Sequence, residues 1–243
     1  MKRTANGPTT FESDRPMGGP VRSKWSARLM TPRLLLRPRQ RADLDDQVAL
    51  DSDPEISMYA DVDVRIRTTG RNPGEVRKRL KAEITQRTQL PSGVWVIEWR
   101  DRPGFLGVCG LQPFTMTASM TLYFRIVRTA WSQGVATEAA RAVLAHGFER
   151  LKLPTITALV HPDNQRSRRV VEKCGLRYDG LVLIGPQSVL NPQSAPAKGY
   201  ALGALAAQPM YTNRFLCFRL NQTNYAEAMA DSQPSGVRVR PIE

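Results

Sequence analysis

The chain has 243 residues, 41% of them hydrophobic, and 35 Lys+Arg against 22 Asp+Glu give it a formal charge of +13. That apolar share excludes wholesale disorder, and 17 Gly, 18 Pro and 3 Cys exclude a collagen-like chain and a disulfide scaffold. No run approaches the roughly 18 uninterrupted apolar residues of a membrane helix, so a soluble protein with no membrane partner is expected.

Residues 1–30 hold six basic and two acidic residues among Gly and Pro. No apolar segment of a signal peptide follows the charges. A flexible basic extension is therefore expected, ahead of a single domain over 31–227 and a flexible tail over 228–243. Within the domain, Pro32 to Pro38 reads as a strand bracketed by prolines, and Ala42 to Leu50 as a short helix ending near Asp53-Pro54. Val76, Leu80 and Ile84, four residues apart, predict a helix from about Gly74 to Leu90. Gly93–Trp99 and Phe105–Gln112 read as a hairpin around Arg100-Asp-Arg-Pro-Gly104, whose residue types suit a turn.

A third strand, Thr121–Val127, runs into a helix with Ala136, Ala140, Val143, Gly147 and Leu151 on one face, which Pro154 stops. Thr155–Val160 is rich in β-branched residues and reads as another strand. Asp163 or Asn164 caps the next helix, which closes at Gly175. Beyond Tyr178 the pattern weakens: residues 184–209 carry four prolines and predict a long loop, and Tyr211–Leu220 a closing strand. The sum is a mixed sheet with helices laid on it, of class α+β or α/β.

Cys109, Cys174 and Cys217 stand singly among apolar neighbours and read as small core residues. Their odd number suits a reducing cytoplasm. No C-x-x-C occurs, and neither His146 nor His161 has a partner ligand at a suitable spacing, so no metal site is expected.

The chemistry gathers between Arg125 and Tyr178. Gly134 permits close backbone approach where a strand gives way to a helix, and Ser132, Ala136 and Thr137 are small. The unpaired amides and dipole of such a helix start suit a phosphate or pyrophosphate. From Arg125 to Arg177 ten basic residues face four acidic ones, an environment for a polyanionic cofactor. Neither G-x-x-x-x-G-K-S/T nor G-x-G-x-x-G is present, which excludes P-loop and Rossmann readings.

Trp131-Ser-Gln-Gly-Val-Ala-Thr-Glu-Ala139 resembles the acetyl-CoA pyrophosphate loop of the GNAT N-acetyltransferases, whose loose pattern is Q/R-x-x-G-x-G/A. The Trp and the continuation Ala-Thr-Glu-Ala are similar to the RimJ/RimL-like branch, which acetylates N-termini of ribosomal proteins. His161-Pro-Asp-Asn-Gln-Arg-Ser167 with Val-Val-Glu-Lys-Cys-Gly-Leu176 resembles that branch's N-x-x-S helix, and Thr31–Pro38 its first strand. The resemblance covers about residues 30–180. It implies the GNAT fold: a mixed, mostly antiparallel sheet, splayed at its middle between the third strand and the Thr155 strand, with helices on both faces. It also implies acetyl-CoA in the gap. Pantetheine would pair with backbone near Ile126 and Val127, and pyrophosphate with amides of Gln133, Gly134, Val135, Ala136 and Thr137. Asn164 and Ser167 would lie near the pantetheine and the thioester sulfur.

Acetyl transfer needs an unprotonated amine, a donor for the oxyanion and a proton for the leaving thiolate. A backbone N–H near Val127 is the oxyanion candidate, and Ser167 stands beside the sulfur. Glu98 and Tyr123 are the candidate bases. The tyrosine that many family members use as general acid is missing, since Val170, Val171 and Glu172 fill that region. An α-amine of pKa about 8 is already about one-tenth neutral at pH 7, so a dedicated base is dispensable for such an acceptor, unlike for a lysine.

The expected function is acetyl-CoA-dependent N-acetyl transfer to a primary amine, a protein N-terminus or a small molecule, by direct attack in a ternary complex. The alternatives are a catalytically silent acetyl-CoA sensor and a basic protein binding RNA or the ribosome. Whether the chain forms a homodimer stays open.

Overall fold

The computed structural model describes Trp25 and residues 27–59, 72–86, 93–114, 119–184 and 213–231. Eight strands form one sheet in the order β1-β2-β3-β4-β5-β6-β8-β7. They are β1 (Leu29–Met30), β2 (Leu34–Pro38), β3 (Gly93–Trp99), β4 (Gly107–Phe114), β5 (Ser119–Ile126), β6 (Thr155–Val160), β7 (Arg177–Ile184) and β8 (Asn213–Asn221). The helices are α1 (Leu44–Ser52), α2 (Pro54–Ser57), α3 (Pro73–Gln86), α4 (Val135–Ala145), α5 (Gln165–Lys173) and α6 (Gln222–Asp231). Five residues of π-helix, His146–Arg150, extend α4.

Every neighbouring pair of strands is antiparallel except β5 and β6. These two run parallel and share only three positions, Met120↔Ile156, Thr121↔Thr157 and Leu122↔Ala158. Past Leu122 they part, while β5 continues to Ile126 and β6 to Val160. The expected splay is thus present. A hydroxyl cluster closes its vertex: Thr157 Oγ1 lies 3.0 Å from Thr121 Oγ1 and 3.1 Å from Ser119 Oγ.

Alternation along the strands divides the core between the two faces. On one face Leu36, Trp95, Ile97, Leu111, Leu122 and Ile126 are buried with α4. The buried alanines of α4 (Ala139, Ala140, Ala142 and Ala145) bring its backbone close to the sheet. At Gly147 a Cβ would meet Ile156 Cδ1 at 2.6 Å, so the π-helical turn packs there only without a side chain. On the opposite face Val96 and Val108 pack with Leu50 of α1, and Val94, Tyr123 and Val127 join them. Val48, Val76 and Leu80 pack α1 against α3.

Several expected boundaries shift. Part of the stretch assigned to an extension over 1–30 belongs to the domain, because Leu29 is fully buried in the main core and Leu29–Met30 pair with β2. Trp25 and Ala27 also pack on that core, and Trp95 Nε1 donates to Ala27 O at 2.7 Å. Residues 1–24 lie outside the described residues. The tail assigned from 228 begins as α6, which runs to Asp231 and buries Tyr225 against Phe148, ring centroids 4.7 Å apart. Strand β7 replaces the weak pattern read after Tyr178. Its side chains do not alternate cleanly, because the register with β8 slips between Tyr178 and Gly180. Of the loop expected over 184–209, only Ile184 is described.

An ion cluster ties the first strands together. Arg37 Nη2 lies 2.6 Å from Asp43 Oδ1 and 2.8 Å from Glu98 Oε1. Burial alone would raise the Asp43 carboxyl, but hydrogen bonds from Arg37 and the Gln40 amide outweigh it and hold Asp43 below the usual carboxylate range. A depressed folded value stabilises above the ordinary carboxylate pKa of about 3.9 and loses that stabilisation as pH falls through the lower folded value. Asp43→Asn is therefore expected to cost about 1–2 kcal/mol near neutral pH, a difference that vanishes toward pH 2 in urea titrations.

Candidate functional site

β5 leaves the sheet at Ile126 and passes through a 3-10 turn, Arg128–Ala130, into the start of α4. Two left-handed residues shape the approach, Ser132 with φ +60 and Gly134 with φ +79. A non-glycine residue in that region is uncommon and marks an over-determined turn. The Glu138 amide makes a helical bond, to Gly134 O at 3.0 Å. The amides of Val135, Ala136 and Thr137 before it have no intrahelical acceptor and carry the positive end of the helix dipole.

This turn is held from both sides. Trp131 Nε1 donates to Ile126 O at 2.7 Å, and Gln133 Nε2 to Thr129 O at 2.7 Å. Glu138 accepts from Thr31 Oγ1 at 2.5 Å, Arg33 N at 3.1 Å and Arg33 Nε at 2.7 Å. Arg33 Nη1 also donates to Gln133 O at 3.1 Å. Glu138 therefore does more than favour the helix start, because it fastens the loop to the chain just before β2.

α5 begins at the end of β6, on the same edge of the sheet. Asn164 Oδ1 accepts from Ser167 N at 3.0 Å, which caps the helix and leaves the Ser167 hydroxyl out of that bond. The Arg166 guanidinium lies over the Trp131 ring, 4.5 Å from its centroid. This contact joins the two halves of the cleft, so Ile126, the Gln133–Thr137 loop and the Asn164–Ser167 turn gather at the open end of the splay.

Two backbone assignments change. Val127 N donates to Leu106 O at 2.9 Å, and Val127 O accepts from Ala130 N at 3.0 Å. The Val127 amide is thus committed toward β4 and is not the free donor expected for an oxyanion. By strand alternation the N–H and C=O groups of Phe124 and Ile126 point the other way, toward the gap left by β6.

The two candidate bases lie apart. Tyr123 is the first β5 residue past the last shared position with β6 and packs on the α1 face. Glu98 stands on β3, separated from β5 by β4, and its Oε1 accepts from Arg37 Nε at 3.1 Å and Nη2 at 2.8 Å. Glu98 thus belongs to the ion cluster of β2 and β3, away from the gap between β5 and β6.

Sequence reasoning missed the segment that spans the mouth of the splay on this face. Arg128, after β5, binds Asp53 Oδ2 at 3.0 Å and Glu55 Oε1 at 2.9 Å, at the start of α2. Tyr59, just beyond α2, stacks on His161 at the end of β6 with centroids 5.4 Å apart. Phe215 meets the same imidazole edge-on at 6.0 Å. No periodicity connects positions 59, 161 and 215, so only the fold could reveal the group.

All three cysteines are buried and free. Burial pushes Cys174 up to about 12 and raises Cys109 and Cys217 as well. No cluster of three or more metal-ligating side chains occurs among the described residues. No helix among them is long and apolar enough to cross a membrane.

The family model described as "Acetyltransferase (GNAT) domain" matches residues 33–177, and the chain belongs to that family. YkkB of Bacillus subtilis is 36% identical over 101 residues, which span 40% of this chain and 59% of YkkB. The match to YoaA of the same organism, 30% identical, spans 36% of this chain and 50% of that relative. The chain thus spans between 50% and 59% of the length of these curated relatives. Among solved structures, spermidine N-acetyltransferase from Vibrio cholerae in complex with CoA and spermine aligns with TM-score 0.58 and 17% identity, covering 81% of this chain and 99% of that one. Mycobacterium smegmatis RimJ in complex with CoA-disulfide aligns with TM-score 0.56 and 18% identity, covering 86% and 96%. At these identities the likeness is one of fold.

Proposed function

We propose that the protein is an acetyl-CoA-dependent N-acetyltransferase acting on a primary amine, nearest in kind to the RimJ/RimL-like branch. The observation that carries the reading is the splay, with β5 and β6 parting after Leu122↔Ala158 and the Gly134-led amides of α4 at its open end. Amides of Val135, Ala136 and Thr137 would hold the pyrophosphate, with Gln133 and Gly134 shaping the turn. Backbone groups of Phe124 would pair with the pantetheine, since Ile126 O already accepts from Trp131 Nε1. The Ile126 amide replaces Val127 as the candidate oxyanion donor, because its direction faces the gap.

The buried, raised cysteines stay neutral thiols near pH 7, which supports direct attack by the amine over an acetyl-cysteine intermediate. The acceptor would approach on the α1 face, between Tyr123 and the 53–59 segment. The two CoA-bound neighbours differ in acceptor, since one is named for spermidine and the other is a RimJ. The branch motifs at Trp131–Ala139 and Asn164–Ser167 favour a protein N-terminus, and the low pKa of an α-amine removes the need for a strong base.

The experiment is a calorimetric titration of the protein with acetyl-CoA, followed by thiol-release assays with N-terminal peptides and with polyamines. Saturable micromolar binding supports the reading. Absence of binding at low salt sinks it and leaves an RNA- or ribosome-binding protein. Binding without release of thiol to any amine favours the silent sensor.

Ser167→Ala is expected to lower kcat about 10- to 100-fold with little change in acetyl-CoA affinity. The Asn164 cap accepts from the Ser167 backbone, so the variant keeps its helix. An unchanged kcat removes Ser167 from the chemistry.

A further inference from the structure

We infer that Arg166 is a phosphate ligand of the cofactor cleft, stored on the Trp131 ring until a phosphate ester arrives, an inference that rests on the acetyl-CoA reading above. Arg166 lies in the first turn of α5, and its guanidinium stands 4.5 Å from the Trp131 ring centroid. Trp131 is itself fixed at the open edge of β5 by its bond to Ile126 O. The stacked pair therefore bridges the mouth of the cleft from β5 to α5, beside the unpaired amides that open α4.

Four other arginines around this mouth are committed to carboxylates. Arg33 is bound to Glu138, Arg125 to Asp51, Arg128 to Asp53 and Glu55, and Arg168 to Glu172. Arg166 has no carboxylate partner among the described residues. Stacking on an aromatic face holds the guanidinium in place while its five donors stay available in the ring plane. An exposed cation–π contact is weak, whereas a bidentate guanidinium–phosphate pair is strong, so a phosphate at the mouth wins the exchange. Arg33, on the other side of Gly134, is held by Glu138 and cannot make the same move without breaking that tie.

The test titrates acetyl-CoA into the full-length wild type, Arg166→Gln and Arg168→Gln at one ionic strength. Thermal melts establish that each variant is folded. Arg166→Gln is expected to weaken binding about tenfold and Arg168→Gln less than twofold. Arg166→Lys should restore only part of the loss, because an ammonium keeps the charge but not the planar fork.

A second series with 3′-dephospho-CoA distinguishes the phosphates. If the Arg166→Gln penalty disappears there, the partner is the 3′-phosphate; if it persists, the partner is the pyrophosphate. As a readout independent of affinity, acetyl-CoA should change the tryptophan emission of the wild type as the guanidinium leaves the ring, and Trp131→Phe should abolish that change. Equal affinities for wild type and Arg166→Gln overturn the inference and leave the acetyl-CoA reading standing. No binding by the wild type overturns the reading and the inference with it.

Discussion

Gly134→Val is expected to abolish saturable acetyl-CoA binding, a loss of at least 100-fold in affinity, while the protein still folds. Gly134 has φ +79, a region β-branched residues avoid, so valine must pull the turn toward another conformation. The amides of Val135, Ala136 and Thr137 take their direction from this residue, and a pyrophosphate bound through them would be lost. A Cβ here meets Arg33 Nη2 at 3.2 Å, the far end of a long side chain that needs to shift by only a few tenths of an ångström, so the clash itself is mild. The stability cost should stay near 1–3 kcal/mol, the range for a strained backbone residue. Calorimetry and a thermal melt on the same sample separate the two effects. Undiminished binding by a folded variant would falsify the phosphate cradle.

Asp51→Asn is the substitution expected to cost most in stability, about 3–4 kcal/mol in urea unfolding. The Asp51 side chain is completely buried on α1, with Oδ1 2.7 Å from Arg125 Nη1 on β5 and Oδ2 2.7 Å from Arg79 Nη2 on α3. Removing the carboxylate leaves the Arg125 charge, only 18% exposed, without a counterion, while the more exposed Arg79 can turn to solvent. Asp51→Leu combined with Arg125→Met should recover most of the loss, because desolvating a charge pair is itself costly. If the single variant unfolds at the same urea concentration as wild type, the ion pairs do not support the packing of α1 on β5.

The segment from Gly93 to Gly175 was legible in the sequence because its local signals agree with its tertiary role. Gly93–Trp99 and Thr155–Val160 are strands with the boundaries that their apolar runs suggested, and Asn164 caps α5. The α4 face was only half right, since Ala139, Ala142, Leu144 and Ala145 are buried beyond the expected stripe. A helix enclosed on most sides loses the amphipathic contrast on which such a reading depends. β1 was hidden because a two-residue strand has no period to detect, and β7 because its bulge interrupts one.

The candidate cofactor loop is marked in the sequence by Gly134 and its small neighbours, but the partners of its backbone are not. Val127 and Ile126 are adjacent in sequence, and only the direction of the Val127 amide, toward Leu106, tells the two apart. In sequence Glu98 is the lone carboxylate of an apolar strand. The residues that occupy it, Arg37 and Asp43, are brought in by β2 and the turn after it, which no local pattern links to β3.

The three shared positions of β5 and β6 make the sheet two blades with a single seam, and the polar edges beyond Leu122 have lost the strand partner they would otherwise have. A chain bearing amides, slipped between the blades, would stand in for the missing strand and draw β6, β8 and β7 onto the rest. The folding stability of that blade then depends on how much ligand surrounds the protein: at a concentration 100 times Kd the gain is about 2.7 kcal/mol. Amide hydrogen exchange should be fastest across the seam in the free protein, with Phe124 and Ile126 slowed most once the gap is filled. Proteolysis should follow the same order, which would make ligand supply a control on the lifetime of the chain.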